Sequence, residues 1–210
     1  MEQLKGQFAD YLFESRVGNV LQIIPIMLLV GGVFWLLRGR WLKKHGRSRS
    51  GPFREAILFI FVCYLTGLIS LICTPSNFWI YIWFYVLYGY PGTTMSQPFS
   101  GGISLVPVII KILSGEYVVT GFSFAAFLQY GNALLFLPFG LLLPAIRRDM
   151  GCVKTVAAGF ALSLFVEGMQ LIVGRIFDID DLIMNTLGTL IGYILYFIIK
   201  SVFRKKEVTT

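Results

Sequence analysis

Long apolar runs, with no strict alternation of apolar and polar positions, organise this chain. Five of them, at 17–37, 56–73, 122–146, 155–173 and 182–199, approach the about 20 residues that a helix needs to cross about 30 Å of hydrocarbon. Their continuity predicts helices and argues against strands. Two further apolar runs, 78–88 and 103–113, have eleven residues each and are too short to cross. The first holds Phe78, Trp79, Tyr81, Trp83, Phe84, Tyr85 and Tyr88, an aromatic density suited to the headgroup belt. The second contains Pro107 and carries Lys111 near its end. Both are expected as interfacial or re-entrant elements, joined by the Gly/Pro-rich loop 91–102. The charged and aromatic segment 1–16 predicts a short interfacial helix.

The expected fold class is therefore all-α, a polytopic membrane helix bundle of about five transmembrane helices plus interfacial or re-entrant outer segments. Three regions follow. Residues 1–102 form a two-span region with an aromatic loop, 103–199 a three-span core, and 200–210 a basic tail.

Composition agrees. Hydrophobic residues make up 56% and charged residues 14% of the 210 positions, against about a quarter charged in soluble domains. Eighteen Lys+Arg against eleven Asp+Glu leave a formal charge of +7. Seven cations lie between the first two runs (Arg38, Arg40, Lys43, Lys44, Arg47, Arg49, Arg54), three between the third and fourth, and four after the fifth. With five spans these share one side, fourteen against four. The positive-inside rule then places the C-terminus in the cytoplasm and the N-terminus outside. The first run lacks a small-residue cleavage site and is not read as a removable signal peptide. The positive excess orients the chain among membrane lipids and does not indicate a nucleic-acid partner.

Much common chemistry is excluded. Cys63, Cys73 and Cys152 form no CxxC pair, so neither a zinc site nor a redox motif is supported. The single His45 stands among cations, which leaves a Ser-His-Asp mechanism nothing to build on. No P-loop or GxGxxG pattern occurs, and no cofactor is expected.

What remains is a small polar constellation. Glu167 stands inside the fourth run, with Gln170 one turn later on the same face. The connection Gly174-Arg175-Ile176-Phe177-Asp178-Ile179-Asp180-Asp181 follows, and Asn185 lies one turn beyond Asp181. Gln129 and Asn132 on the third run bring polar groups from a third helix, near a bend expected at Pro138. Each has a plainer role to offer. Asp178 or Asp180 would cap the fifth helix, and Asp181 suits its positive N-terminus. Asn132 and Asn185 would serve as interhelical glue, and Arg175 would neutralise Asp178. Gly188 and Gly192 form a small-xxx-small row open to an internal contact or to a homo-oligomer.

These residues, in this order, resemble the VanZ-like family of bacterial membrane proteins. The resemblance rests on Asn132-Ala-Leu-Leu-Phe-Leu-Pro138-Phe-Gly140, Ser163-Leu-Phe-Val-Glu167-Gly-Met-Gln170 and Asp178-Ile-Asp-Asp181-Leu-Ile-Met-Asn185-Thr-Leu-Gly188. With the element around Pro107 it covers 103–196. Where members often show Asn-Leu-x-Pro-Phe, this chain reads Ser104-Leu-Val-Pro107-Val. The resemblance implies a part in low-level resistance to teicoplanin and related lipoglycopeptides, in a Gram-positive cell envelope. Asn132, Glu167, Gln170, Arg175, Asp178, Asp181 and Asn185 are the expected ligand-binding or functional residues.

Three activities compete. The first is an outer-leaflet polar groove that binds a lipid, a lipid-linked cell-wall precursor or the lipoglycopeptide. The second is an enzyme on an envelope lipid, using Glu167, Asp178 and Asp181, with a divalent cation at the Asp cluster. The third is a small lipid transporter.

Overall fold

The computed structural model describes residues 21–49, 51–75, 77–91, 93–116, 124–147 and 149–208, with side chains omitted at 124–130 and 203–208. The expected N-terminal interfacial helix and the Gln129 side chain lie outside the described residues. Seven helices and two short strands are present among them: α1 Ile24–Lys44, α2 Pro52–Ile72, α3 Phe78–Tyr88, β1 Ile103–Ser104, α4 Val108–Leu113, α5 Phe124–Ile146, α6 Cys152–Ile172, β2 Phe177–Asp178 and α7 Ile179–Val208. The all-α bundle is borne out. Four helices, Ile24–Lys44, Pro52–Ile72, Cys152–Ile172 and Ile179–Val202, are long and apolar enough to cross a membrane. The expected third span falls on the 23-residue α5, of which Gly131–Ile146 is the apolar part with described side chains. Four of the five expected spans are thus found, and the count of five is not established.

Prolines set two of the helix starts. Pro25 and Pro52 occupy the first turns of α1 and α2, where a missing N–H breaks no bond. Residues 17–20 of the expected first span lie outside the described residues, and the first described apolar helix ends at Lys44, beyond the expected 37. It ends with Lys43 and Lys44 in its last turn, where cations favour the helix dipole.

The 103–113 run is not one element. Ile103 and Ser104 pair in parallel with Phe177 and Asp178, and α4 starts only after Pro107. A two-residue strand has no periodicity to betray it, and Pro107 disfavours helix in the residue before it.

The bundle is bipolar. Arg54, at the start of α2, donates to the Ile146 carbonyl at the end of α5, so these ends lie together. At this end Arg38 and Glu55 form a two-toothed ion pair at 2.9 and 3.2 Å. The opposite end holds Glu167, Arg175, Asp178, Asp180 and Asp181, beside the C-terminus of α2.

The most extensive contact is that of α5 with α7. A Cβ on Gly188 would strike the Ala133 carbonyl, one on Gly192 the Leu137 carbonyl, and one on Gly140 the Thr189 carbonyl. The glycine row therefore serves an internal contact, with backbone against backbone. Tyr64 of α2 donates to the Leu135 carbonyl of α5 at 2.7 Å, beside Pro138. The apolar core is Leu68, Ile72, Phe136 and Val166, where α2, α5 and α6 meet.

The seam between α6 and α7 is of the opposite character. Thr155, Gly159, Ser163 and Glu167 recur every fourth residue on α6 and are buried, with Gln170 continuing the face. Asn185 and Thr189 of α7 are buried too. Polar and small groups face inward here, while Phe160, Leu164 and Phe165 face outward.

Candidate functional site

The site lies where the buried polar seam reaches the acidic end of the bundle. Glu167 is 1% exposed, and its Oε2 accepts the Asp178 backbone N–H at 3.1 Å. Its neighbours by charge are Asp181 and Asp178, with Arg175 as the nearby cation. A buried carboxylate is costly unless hydrogen bonds or counter-charge satisfy it; here the Asp178 N–H supplies a hydrogen bond, while Arg175 forms no ion pair with it within 4.0 Å.

Asp178 occupies the N-cap position of α7, and its Oδ1 accepts the Asp180 N–H at 3.0 Å. Asp180 in turn accepts the Val108 N–H at 2.9 Å through Oδ2 and so fastens the start of α4. Asp181 is half-buried, with the Asn132 amide of α5 in hydrogen-bonding reach. Asn185 donates to Ser163 Oγ at 2.9 Å, and its own Oδ1 is buried with no partner among the described residues. Gln170 is 5% exposed, and its backbone carbonyl accepts the Arg175 N–H at 2.8 Å.

Arg175 departs from expectation. Among the described residues it forms no ion pair within 4.0 Å, and the pairing with Asp178 is not found. Its Nη1 instead donates to the Leu71 and Ile72 carbonyls at 3.3 and 3.2 Å. Those carbonyls lie in the last turn of α2, where no intrahelical donor remains, and a cation there also suits the helix dipole. The connection that carries Arg175 turns at Gly174, whose φ of +82° favours glycine. A Cβ at this glycine would also strike the Gln97 carbonyl.

A strap formed by residues 96–104 closes the end of α6. Phe99 N–H donates to the Ile172 carbonyl at 3.3 Å, Ser96 to Val173 at 2.8 Å and Ser100 to Gly174 at 3.3 Å. The β1–β2 pairing continues this strap. It brings the Ser104-Leu-Val-Pro107 element beside Phe177 and Asp178, far away in sequence.

A cavity of about 130 Å³ opens beside Arg175, lined by Thr74, Asn77, Phe78, Trp79 and neighbouring residues. The aromatic α3 forms one wall. Its Trp79 indole N–H donates to the Ser70 carbonyl at 2.8 Å, and Trp83 donates to the Gln22 carbonyl at 3.1 Å. Thr74, Asn77 and Trp79 were not among the expected site residues, although Trp79 lies in the conspicuous aromatic run. Ser163, Thr155 and Thr189 were also missed. Their signal was legible as polar positions four apart.

All seven expected residues are thus gathered at one end of the bundle, on α5, α6, the α6–α7 connection and α7. They do not form one open cavity. Glu167, Gln170 and Asn185 are sealed within the seam, whereas Arg175 borders the cavity. Among the described residues no group of three or more His, Cys, Asp or Glu is placed to hold a metal ion.

Fold and site together define a multi-pass, all-α membrane protein with a polar, carboxylate-bearing end. The VanZ/LLP1 family pattern matches residues 61–200, two thirds of the chain and more than the 103–196 of the motif resemblance. The chain belongs to the VanZ/LLP1 family. Neither the characterised proteins nor the solved structures compared with it gave a match.

Proposed function

We propose that this protein binds the phosphate-bearing headgroup of a lipid or lipid-linked cell-wall precursor at the outer face of a bacterial plasma membrane. By doing so it lowers susceptibility to teicoplanin and related lipoglycopeptides. The basic end lies in the cytoplasm by the positive-inside rule, which puts the acidic end outside. Lipoglycopeptides act on that side.

Arg175 carries the reading. One guanidinium nitrogen is held by two carbonyls, and among the described residues no carboxylate within 4.0 Å consumes the rest. Planar N–H donors bordering a cavity suit a phosphate group. The cavity of about 130 Å³ holds roughly four waters at ~30 Å³ each, a space on the scale of a headgroup fragment. The aromatic wall suits the membrane interface. Glu167, Asp178 and Asp180 each have an oxygen engaged with a backbone N–H, which favours positioning over acid–base chemistry. Asn132, Gln170, Asp181 and Asn185 support the same end of the bundle.

The test compares cells expressing the full chain with cells expressing Arg175→Gln at equal membrane abundance. The wild type should raise the inhibitory concentration of teicoplanin, and the variant should return it to the control value. Purified wild type should also retain a polyprenyl phosphate that Arg175→Gln releases. Equal protection by both chains would overturn the proposal.

A further inference from the structure

A second, larger concavity lies at the other end of the molecule, between α1 and α2. It has a volume of about 780 Å³ and is lined by Gly32, Trp35, Arg49, Ala56, Phe59 and Ile60 among others. Phe59 and Ile60 also line a second apolar concavity of about 410 Å³, which continues past Cys63 to Gly67 and Leu68. Both concavities lie along α2 and share Phe59 and Ile60. At 1.5 Å per residue, the stretch from Pro52 to Ile60 is about 12 Å long and that from Pro52 to Leu68 about 24 Å. The first matches the depth of one leaflet, about half of a 30 Å hydrocarbon core.

The wall is open at Gly32. A Cβ on Gly32 would meet nothing within 4 Å, so this position leaves open space in the wall. The next residue toward the N-terminus behaves differently: a Cβ on Gly31 would press on Cys63 and Phe59, so glycine there lets α1 and α2 approach closely. Elsewhere α1 turns an apolar face outward, with Leu28, Leu29, Leu36 and Leu37 all exposed.

Charge marks one mouth. The Arg49 guanidinium stacks on the Trp35 ring at 3.8 Å from its centroid and donates to the Trp35 carbonyl at 3.4 Å. Glu55, the acidic residue on the wall, is held by Arg38 through both oxygens. Among the described residues no carboxylate lies within 4.0 Å of Arg49, which stands exposed against the Trp35 ring at the end of the bundle that carries most of the cations. A cation stacked above an apolar slot of about one-leaflet depth is complementary to an anionic head on an acyl chain.

The geometry points to a binding site for an anionic glycerophospholipid, with its phosphate at Arg49 and an acyl chain along Gly32, Phe59 and Ile60. This site lies at the opposite end from Arg175 and stands or falls independently of the headgroup reading above. Burial of methylenes in the groove supplies affinity for any phospholipid, while Arg49 supplies the preference for a negative head.

The test uses the purified full chain in dodecyl maltoside, with native mass spectrometry after addition of phosphatidylglycerol or phosphatidylcholine. Wild type should retain phosphatidylglycerol at least about 5-fold better than phosphatidylcholine. Arg49→Gln should bring that ratio near one, whereas Arg40→Gln, at a cation outside the groove wall, should leave it unchanged. Gly32→Leu starts from a Cβ that meets nothing within 4 Å, projects into the slot and should lower retention of both lipids at least about 5-fold. Equal effects of Arg49→Gln and Arg40→Gln would overturn the proposal, as would full lipid retention by Gly32→Leu. A dimer that Gly32→Leu dissociates would assign the groove to a second copy of the chain and overturn it too. Should Gly32→Leu fail to fold, the comparison of Arg49→Gln with Arg40→Gln decides.

Discussion

Glu167 and Asp178 are joined by a 3.1 Å hydrogen bond in which a buried carboxylate on α6 accepts the backbone N–H of the residue that caps α7. The intramembrane carboxylate is thereby a structural fastening as well as a candidate ligand. It ties the end of one helix to the start of the next, and Asp180 extends the tie to α4. Any variant at Glu167 consequently reports on the hairpin before it reports on function.

That fastening predicts an order of stabilities. Glu167→Ala leaves the Asp178 N–H without its acceptor, at a cost of about 1–3 kcal/mol. Glu167→Gln keeps an oxygen in place and should lose less. Thermal unfolding of the purified chain in detergent should rank wild type first, Gln second and Ala last. A glutamine variant as unstable as the alanine one would show that the negative charge, and not the acceptor, matters at this position.

The α5–α7 contact predicts steep sensitivity at two glycines. Gly188→Val and Gly192→Val drive side chains into the Ala133 and Leu137 carbonyls and should each cost about 3 kcal/mol or more. Gly168→Ala meets nothing within 4 Å and should be neutral or stabilising by up to about 1 kcal/mol. Detergent-solubilised yield and unfolding temperature measure both. Folded, wild-type-like Gly188→Val protein would mean that α5 and α7 are not in backbone contact.

At the basic end, the Arg38–Glu55 pair is partly buried and geometrically well formed, with side chains 27% and 9% exposed. Losing either partner should cost about 1–3 kcal/mol, between the values for exposed and fully buried pairs. The double variant Arg38→Gln, Glu55→Gln should lose less than the sum of the singles. Strict additivity in the double-mutant cycle would count against a direct interaction.

Sidedness is testable with the chain's own thiol. Cys152 is exposed at the start of α6, whereas Cys63 is buried and Cys73 half-buried. In a Cys63→Ala, Cys73→Ala background, a membrane-impermeant maleimide should label Cys152 only after cells are opened. Thr94→Cys, introduced with Cys152→Ala, should react in intact cells. The reverse pattern would invert the proposed orientation.

The apolar runs and the polar positions interrupting them were enough to find the helices, because hydrocarbon thickness acts on each segment separately. Of the candidate site, Asn132, Glu167, Gln170 and Asn185 were legible as polar groups inside apolar runs, and Asp178 and Asp181 as acids at the start of the fifth run. The Asp178 cap was legible too, since capping is a local bond. The β1–β2 pair was not. Its strands are two residues long and more than seventy positions apart, and no periodicity marks such a contact.

By itself, then, the sequence determined an all-α membrane bundle and a bipolar charge distribution, since burial and charge are properties of each residue. Only the tertiary structure decided who meets whom. It directed Arg175 to the carbonyls of Leu71 and Ile72 and away from Asp178. It turned the Gly188/Gly192 row toward α5. It left an open slot at Gly32 beneath the stacked Arg49. These outcomes depend on several helices at once, on which carbonyls remain unbonded and which backbones can approach. A pattern read along one chain does not contain that information.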